Sequence, residues 1–218
     1  MSNKSATKRA VREVLRLRVL PPHVAWFQWR ARRRARALGD TFALESSTRP
    51  ADLARLLELA RGRTRVVELG TANGWTAITL ALDDPGRQVH TFDPFDRPER
   101  QVYLGLVSDR VREQITFVKE PGSVGPDGVA GSSSGGSGSH PTHAIELLYI
   151  DSSHDRDDTI AEVRAWQGAL APGALIVFDD YTHPEYPGVR EAVTELGLSG
   201  ETTGTLHVVT VAAALPHT

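Results

Sequence analysis

Cysteine is absent from the 218 residues. That excludes disulfides, thiol nucleophiles, iron–sulfur clusters and cysteine zinc sites. No apolar run approaches the roughly 18 residues of a membrane-crossing helix. The first residues lack the apolar core of a signal peptide. A cytoplasmic protein is the expectation that fits these absences. Lysine is nearly missing too: Lys4, Lys8 and Lys119 are the three present, and arginine carries the rest of the positive charge. What remains is ordinary. Hydrophobic residues make up 40% and charged residues 24%, the balance of a globular chain long enough for a sizeable core.

The net charge of −2 hides an asymmetry. Residues 1–38 hold 11 Lys/Arg against the single acid Glu13, and the remainder holds 14 basic and 26 acidic groups. Residues 4–20 read as a basic helix, with Val11, Val14 and Leu15 at helical spacing, ended by Pro21-Pro22. A second basic helix covers 23–38, with Trp26, Phe27 and Trp29 near its start and Gly39-Asp40 as its stop. Residues 50–61 form a third, amphipathic helix, with Pro50 in its first turn and Leu53, Leu56, Leu57 and Ala60 on one face.

From residue 65 the pattern changes to short β-branched runs alternating with helices. Strands are expected at 65–70, 88–94, 115–120, 145–151, 174–180 and 206–213. Helices are expected at 75–84, 98–113, 155–170 and 188–197. This alternation implies an α/β fold with a doubly wound, mostly parallel sheet. The chain then divides into a basic helical extension, 1–49, and one α/β domain, 50–218. Residues 131–139, GSSSGGSGS, are a flexible linker by composition, set between the third and fourth strands. Two origins are open for it: a native low-complexity loop, or an engineered replacement for one.

Four strand ends carry the chemistry. The first runs into Glu68-Leu69-Gly70-Thr71-Ala72-Asn73-Gly74-Trp75-Thr76. Glycines at a strand-to-helix turn let backbone approach a ligand, and the following helix N-terminus favours an anion. The spacing departs from the dinucleotide GxGxxG, because residue 72 is Ala and the third Gly is missing. The acid two residues before Gly70 argues for a cationic or amine-bearing ligand. The second strand ends at Asp93, where doubly wound nucleotide folds place an acid on the ribose hydroxyls. The fourth ends at Asp151, followed by Ser152-Ser153-His154. The fifth ends at Asp179-Asp180-Tyr181, with His183 shortly after. Three carboxylates at one crevice repel one another unless protons or a cation intervene. A hard divalent ion, Mg²⁺, held by Asp151, Asp179 and Asp180 is the expected resolution; the alternative is that one acid only orients the nucleotide and another only caps a helix. His154 and His183 are rival candidates for a general base.

Taken together, VVELGTANGWTAI, HTFDP, LLYIDSSH and LAPGALIVFDDY make residues 50–212 resemble a class I S-adenosylmethionine-dependent methyltransferase. The nearer resemblance is to small-molecule O-methyltransferases of the catechol, macrolide-sugar and cephalosporin-pathway kinds. It implies a seven-stranded Rossmann-like sheet with helices on both faces. It implies that Glu68, Gly70, Thr71 and Gly74 surround the methionine end of the cofactor, with Asn73, Trp75, Thr76 and Asp151 also among the cofactor-binding residues. Asp93 would hold the ribose, and Gly122 and Ser123 would lie near the adenine. Asp151, Asp179 and Asp180 match the positions that hold Mg²⁺ in metal-dependent members. Asp151, His154 and His183 are then the catalytic candidates, and a small hydroxylated metabolite is the expected substrate.

Other readings compete. The basic N-terminus suits an RNA methyltransferase, but the rest of the chain is acidic and no (N/D)PPY signature occurs. The Arg-rich helices with Trp26, Phe27 and Trp29 also suit an anionic membrane surface or a docked partner. The blander reading, folding over the site or pairing two copies of the chain, is preferred. Against a nicotinamide oxidoreductase, the chain lacks the third glycine and any clear Tyr-Lys or Cys proton relay.

Overall fold

The computed structural model describes residues 15–126 and 144–212. The linker at 131–139 and all but the end of the helix expected over 4–20 lie outside the described residues; Leu15–Leu17 are helical.

Strands covered on both faces must be apolar on both, and their alternate residues feed two separate cores. Val66, Leu147 and Leu175 face one core, and Val67, Leu148 and Ile176 the other. The strands are β1 (Arg65–Leu69), β2 (Gln88–Phe92), β3 (Ile115–Val118), β4 (Ile145–Ile150), β5 (Leu170–Phe178), β6 (Glu201–Thr203) and β7 (Leu206–Thr210). They form one sheet in the order β3-β2-β1-β4-β5-β7-β6. The first five are parallel, and β7 runs antiparallel to both β5 and β6. The strand order reverses between β1 and β4. Such a switch point opens a crevice at the carboxyl ends of the strands.

The helices are α1 (Pro22–Leu38), α2 (Thr41–Glu45), α3 (Pro50–Leu59), α4 (Trp75–Asp83), α5 (Arg100–Leu104), α6 (Asp109–Glu113), α7 (Arg156–Trp166) and α8 (Pro187–Glu195). The first core joins α1, α3 and α4 to the sheet through Val24, Phe27, Leu53, Leu56, Ile78 and Leu80. The second joins α7 and α8 through Val163, Trp166, Val189 and Val193.

Several elements differ from expectation. The helix expected over 98–113 is two short ones, because Gly105 caps α5 and Ser108 is extended before α6. The helix expected to reach 170 ends at Trp166, and β5 begins at Leu170 rather than 174. Pro172-Gly173 reads as a strand breaker. Here a bulge absorbs it: Ile145 pairs with Leu170 but Leu147 with Leu175. Helix α2 is an addition. Asp40 stops α1 and at once caps α2, accepting from Ala43 N at 2.9 Å. The exposed β6 has no apolar residue to signal it.

Candidate active site

The end of β1 is locked by a contact that only glycine permits. Gly70 has φ +102°, and a Cβ there would fall 1.8 Å from the Asp151 carbonyl oxygen. The carboxyl ends of β1 and β4 therefore touch through bare backbone. The turn that follows is tied down by Asp93. Its Oδ2 accepts from Ala72 N and its Oδ1 from Phe95 N, both at 2.8 Å. Arg100 stands 3.8 Å from the same carboxylate and donates to Ala72 O at 2.9 Å.

A cavity of about 880 Å³ opens over this turn, within the range of small-molecule sites. Gly70, Thr71, Asn73, Trp75, Thr76, Asp93, Gly122, Ser123, Asp151, His154, Asp179, Asp180 and His183 all line it. Thus the structure gathers nearly every candidate around one space. Glu68 and Gly74 stand behind that lining: Gly74 caps α4, and Glu68 lies under the turn, 1% exposed. The segment from Phe42 to Arg49 forms a further wall that sequence reasoning missed. It is anchored by Thr48 and Thr76, whose hydroxyls are 3.0 Å apart, and by Asp40, which accepts from Asn73 Nδ2 at 3.2 Å. The Asp40 cap was the one available signal for it.

Burial pushes the Glu68 carboxyl up to about 8; the hydrogen bond donated by Thr91 opposes this and the charge of Asp151 adds to it. Between about 4.5 and 8 the folded chain keeps a proton that the unfolded chain has lost. Stability attributable to Glu68 is therefore full below that window and falls as pH rises through it. Glu68→Gln removes the titration while keeping the shape. Its melting temperature relative to the parent is expected to be clearly higher at pH 8 than at pH 5. An equal difference at both pH values would contradict this assignment.

The second half of the site is a polar ring. Tyr149 donates to Asp179 Oδ2 at 2.7 Å and stands 3.2 Å from Asp151 Oδ2. Asp179 Oδ1 accepts from Asp180 N at 2.7 Å and from Thr205 Oγ1 at 3.0 Å. His154 Nε2 lies 3.3 Å from Asp151 Oδ1 and 3.5 Å from Asp180 Oδ2. Arg49 closes the ring, 3.0 Å from Asp52 and 3.7 Å from Asp180. His154 (φ +60°) and Asp180 (φ +52°) hold left-handed backbone conformations. Such strain in non-glycine residues concentrates at functional sites.

The electrostatics follow from crowding. Burial, then the charge of Asp179, pushes Asp151 up to about 7, against the hydrogen bond from His154. Asp180 rises for the same two reasons. Burial alone would lower His154, but its bond to Asp151 and the charges of Asp151, Asp180 and Asp179 prevail, and its pKa rises. Tyr186 stacks on His154 at 4.5 Å and on His183 at 4.8 Å. His183 uses Nδ1 to accept from Glu185 N at 3.3 Å, and its charge acts on Asp180.

The donor set is hard oxygen throughout, which suits a divalent cation in kind. Among the described residues, however, no three His, Asp or Glu side chains stand together as a metal-holding group. Asp179 is turned to Tyr149 and Thr205, and the imidazole lies between Asp151 and Asp180.

The methyltransferase domain family matches residues 67–181, more than half of the chain. The chain belongs to that family. Its strand order and glycine turn are those of a class I S-adenosylmethionine-dependent methyltransferase. No curated protein matches this methyltransferase. Solved structures do, at low identity. CalS11, a TDP-rhamnose 3′-O-methyltransferase of calicheamicin biosynthesis, is 18% identical with TM-score 0.59, over 96% of each chain. An O-methyltransferase from Bacillus cereus in complex with S-adenosylhomocysteine is 15% identical with TM-score 0.56, over 76% of this chain and 83% of that one. TomG of Streptomyces achromogenes, an O-methyltransferase of tomaymycin synthesis in complex with S-adenosylmethionine, is 20% identical with TM-score 0.53, over 75% and 79%. Among the described residues of this methyltransferase, no helix is long and apolar enough to cross a membrane.

Proposed function

We propose that this methyltransferase transfers the cofactor's methyl group to a hydroxyl of a small molecule. The observation that carries the reading is His154, held by two carboxylates in the cavity that the cofactor turn lines. An imidazole so placed takes the hydroxyl proton as the oxygen attacks. The oxygen–methyl bond forms while the sulfur–methyl bond breaks, in line. The products are the methyl ether and S-adenosylhomocysteine, and the proton leaves through His154 to solvent. Asp151 orients the imidazole and steadies it when charged. Positioning of the two reactants supplies most of the acceleration. The full-length likeness to a sugar O-methyltransferase supports a hydroxylated acceptor.

Asp151, Asp179 and Asp180 are proposed to hold Mg²⁺. The charge of Asp179 helps to raise Asp151 and Asp180, and their hard oxygens suit the ion in kind, although Asp179 would have to turn from Tyr149 and Thr205 to join them. When bound, the ion would lower the pKa of the acceptor hydroxyl.

The arginines of α1 weigh against RNA as substrate, since several serve the fold. Arg30 donates to Leu106 O at 3.1 Å, Arg32 to Ser47 Oγ at 2.9 Å, and Arg33 lies over the Trp29 ring.

The test is transfer of labelled methyl from S-adenosylmethionine to a panel of hydroxylated small molecules, with Mg²⁺ or with EDTA. Label is expected on a hydroxyl, with turnover falling at least about tenfold under chelation. Transfer unaffected by EDTA removes the metal, transfer only to RNA removes the small-molecule reading, and transfer only to amines removes the O-methylation reading.

A further inference from the structure

Tyr186 has no part in the chemistry proposed above, yet it lies against the residue that carries it. Its ring stacks on the His154 imidazole, with centroids 4.5 Å apart and planes 21° apart. It also stacks on His183, at 4.8 Å and 29°. Among the described residues, the His154 imidazole makes polar contacts through Nε2 alone, to Asp151 at 3.3 Å and to Asp180 at 3.5 Å. Contacts at one ring atom fix where that atom lies. They leave the tilt of the ring open. A second ring laid on its face fixes the tilt.

This platform is itself anchored. Tyr186 N donates to His183 O at 3.1 Å. Pro187 follows as the first residue of α8, where its fixed φ suits a helix start. Gly188 then abuts the loop that carries His154: a Cβ there would fall 2.7 Å from both His154 O and Arg156 N. His154 holds φ +60°. A residue with a side chain keeps that conformation only where its surroundings over-determine it. Gly188 against the backbone and Tyr186 against the ring do so together.

We propose that Tyr186 is a positioning residue: its ring sets the plane of the His154 imidazole and so aims the base at the acceptor hydroxyl. It touches neither the acceptor oxygen nor the methyl group. The inference rests on the reading of His154 as the base.

The experiment is transfer of labelled methyl to the hydroxylated acceptor that the panel above returns. The variants are Tyr186→Phe, Tyr186→Leu and Tyr186→Gln, each alone and combined with His154→Ala. Tyr186→Phe keeps the stacking ring and is expected to hold kcat within about threefold of the parent. Tyr186→Leu and Tyr186→Gln are expected to lower kcat about ten- to a hundredfold, the cost of misplacing a reacting group. The acceptor KM and the affinity for S-adenosylhomocysteine are expected to stay within about threefold, because aim is lost and binding is not. With His154 already alanine, the same substitutions are expected to change kcat by less than about twofold, since the group they position is gone. A kcat loss that persists without His154 marks a merely structural role and overturns the proposal. A rise in KM at unchanged kcat makes Tyr186 an acceptor contact and overturns it too, as does a Tyr186→Phe as damaged as Tyr186→Leu. Should Tyr186→Leu fail to fold, Tyr186→Gln decides. A damaged His154→Ala beside an intact Tyr186→Leu fails this proposal alone. A His154→Ala with full turnover, or a parent that methylates no hydroxyl, fails the reading of the base and this proposal with it.

Discussion

Replacing His154 with alanine is expected to cut kcat by about 10² to 10⁴, the usual contribution of a positioned general base. His183→Ala is expected to cost less than about tenfold. Both imidazoles line the cavity and both stack on Tyr186, so proximity alone does not separate them. Their partners do. His154 Nε2 stands within 3.5 Å of two carboxylates, whereas His183 accepts from a backbone N–H at Nδ1. A carboxylate beside an imidazole raises its proton affinity and stabilises the charged form made during transfer. The measurement is kcat for both variants with a reactive hydroxylated acceptor, alongside S-adenosylhomocysteine affinity. That affinity is expected to stay within about threefold of the parent in both, because a base acts on the acceptor and not on the cofactor. If His183→Ala proves the more damaging, the assignment of the base is exchanged. If both variants retain full turnover, acid–base chemistry by histidine is not part of this site.

His154 was legible because it follows a buried strand that ends in Asp151, and strand ends converge in a parallel sheet whatever the loops do. The same logic found Gly70, Asp93, Asp179 and Asp180. Each is a short step from an apolar run whose end can be read from its composition. What sequence missed has a common physical origin. The Phe42–Arg49 wall lies in a short stretch with little periodicity, and its place over the cavity depends on the side chains of Asp40 and Thr48 reaching residues 33 and 28 positions away. Glu162 sits among Asp157, Asp158 and Arg164 on α7, so by pattern it belongs to a solvated helix face. Only tertiary packing against Gly122 and Ser152 buries it. The bulge at Pro172-Gly173 likewise depends on pairing with a strand some 25 residues earlier in the chain. Local pattern encodes strand ends; it does not encode which loop side chains meet above them.

Arg87 is the strongest case of that gap, and its loss is expected to be the most damaging to stability. In Asp84-Pro85-Gly86-Arg87 it reads as the tip of a solvated turn. The structure buries it completely, at 0% exposure. Its guanidinium gathers three carbonyls from three separate places: Leu80 O at 2.6 Å, Ala60 O at 2.9 Å and Arg63 O at 3.1 Å. Asp83 Oδ2 at 3.5 Å and Asp84 Oδ2 at 3.9 Å balance its charge. These contacts join the C-terminal end of α3, the approach to β1 and the last turn of α4. All three fix the strand from which the cofactor turn springs. Arg87→Ala leaves the carbonyls without donors and opens a void the size of the side chain. Together these are expected to cost about 3–5 kcal/mol, as for removing one partner of a buried charge network. For a chain of this length that lowers the melting temperature by about 10 °C. Arg87→Lys is expected to fall between, because an ammonium can serve fewer of the three carbonyls than the planar fork does. The check is thermal or urea unfolding of both variants. A melting temperature within about 2 °C of the parent for Arg87→Ala would mean that water replaces the guanidinium at no cost, and that these three elements are held together by apolar packing alone.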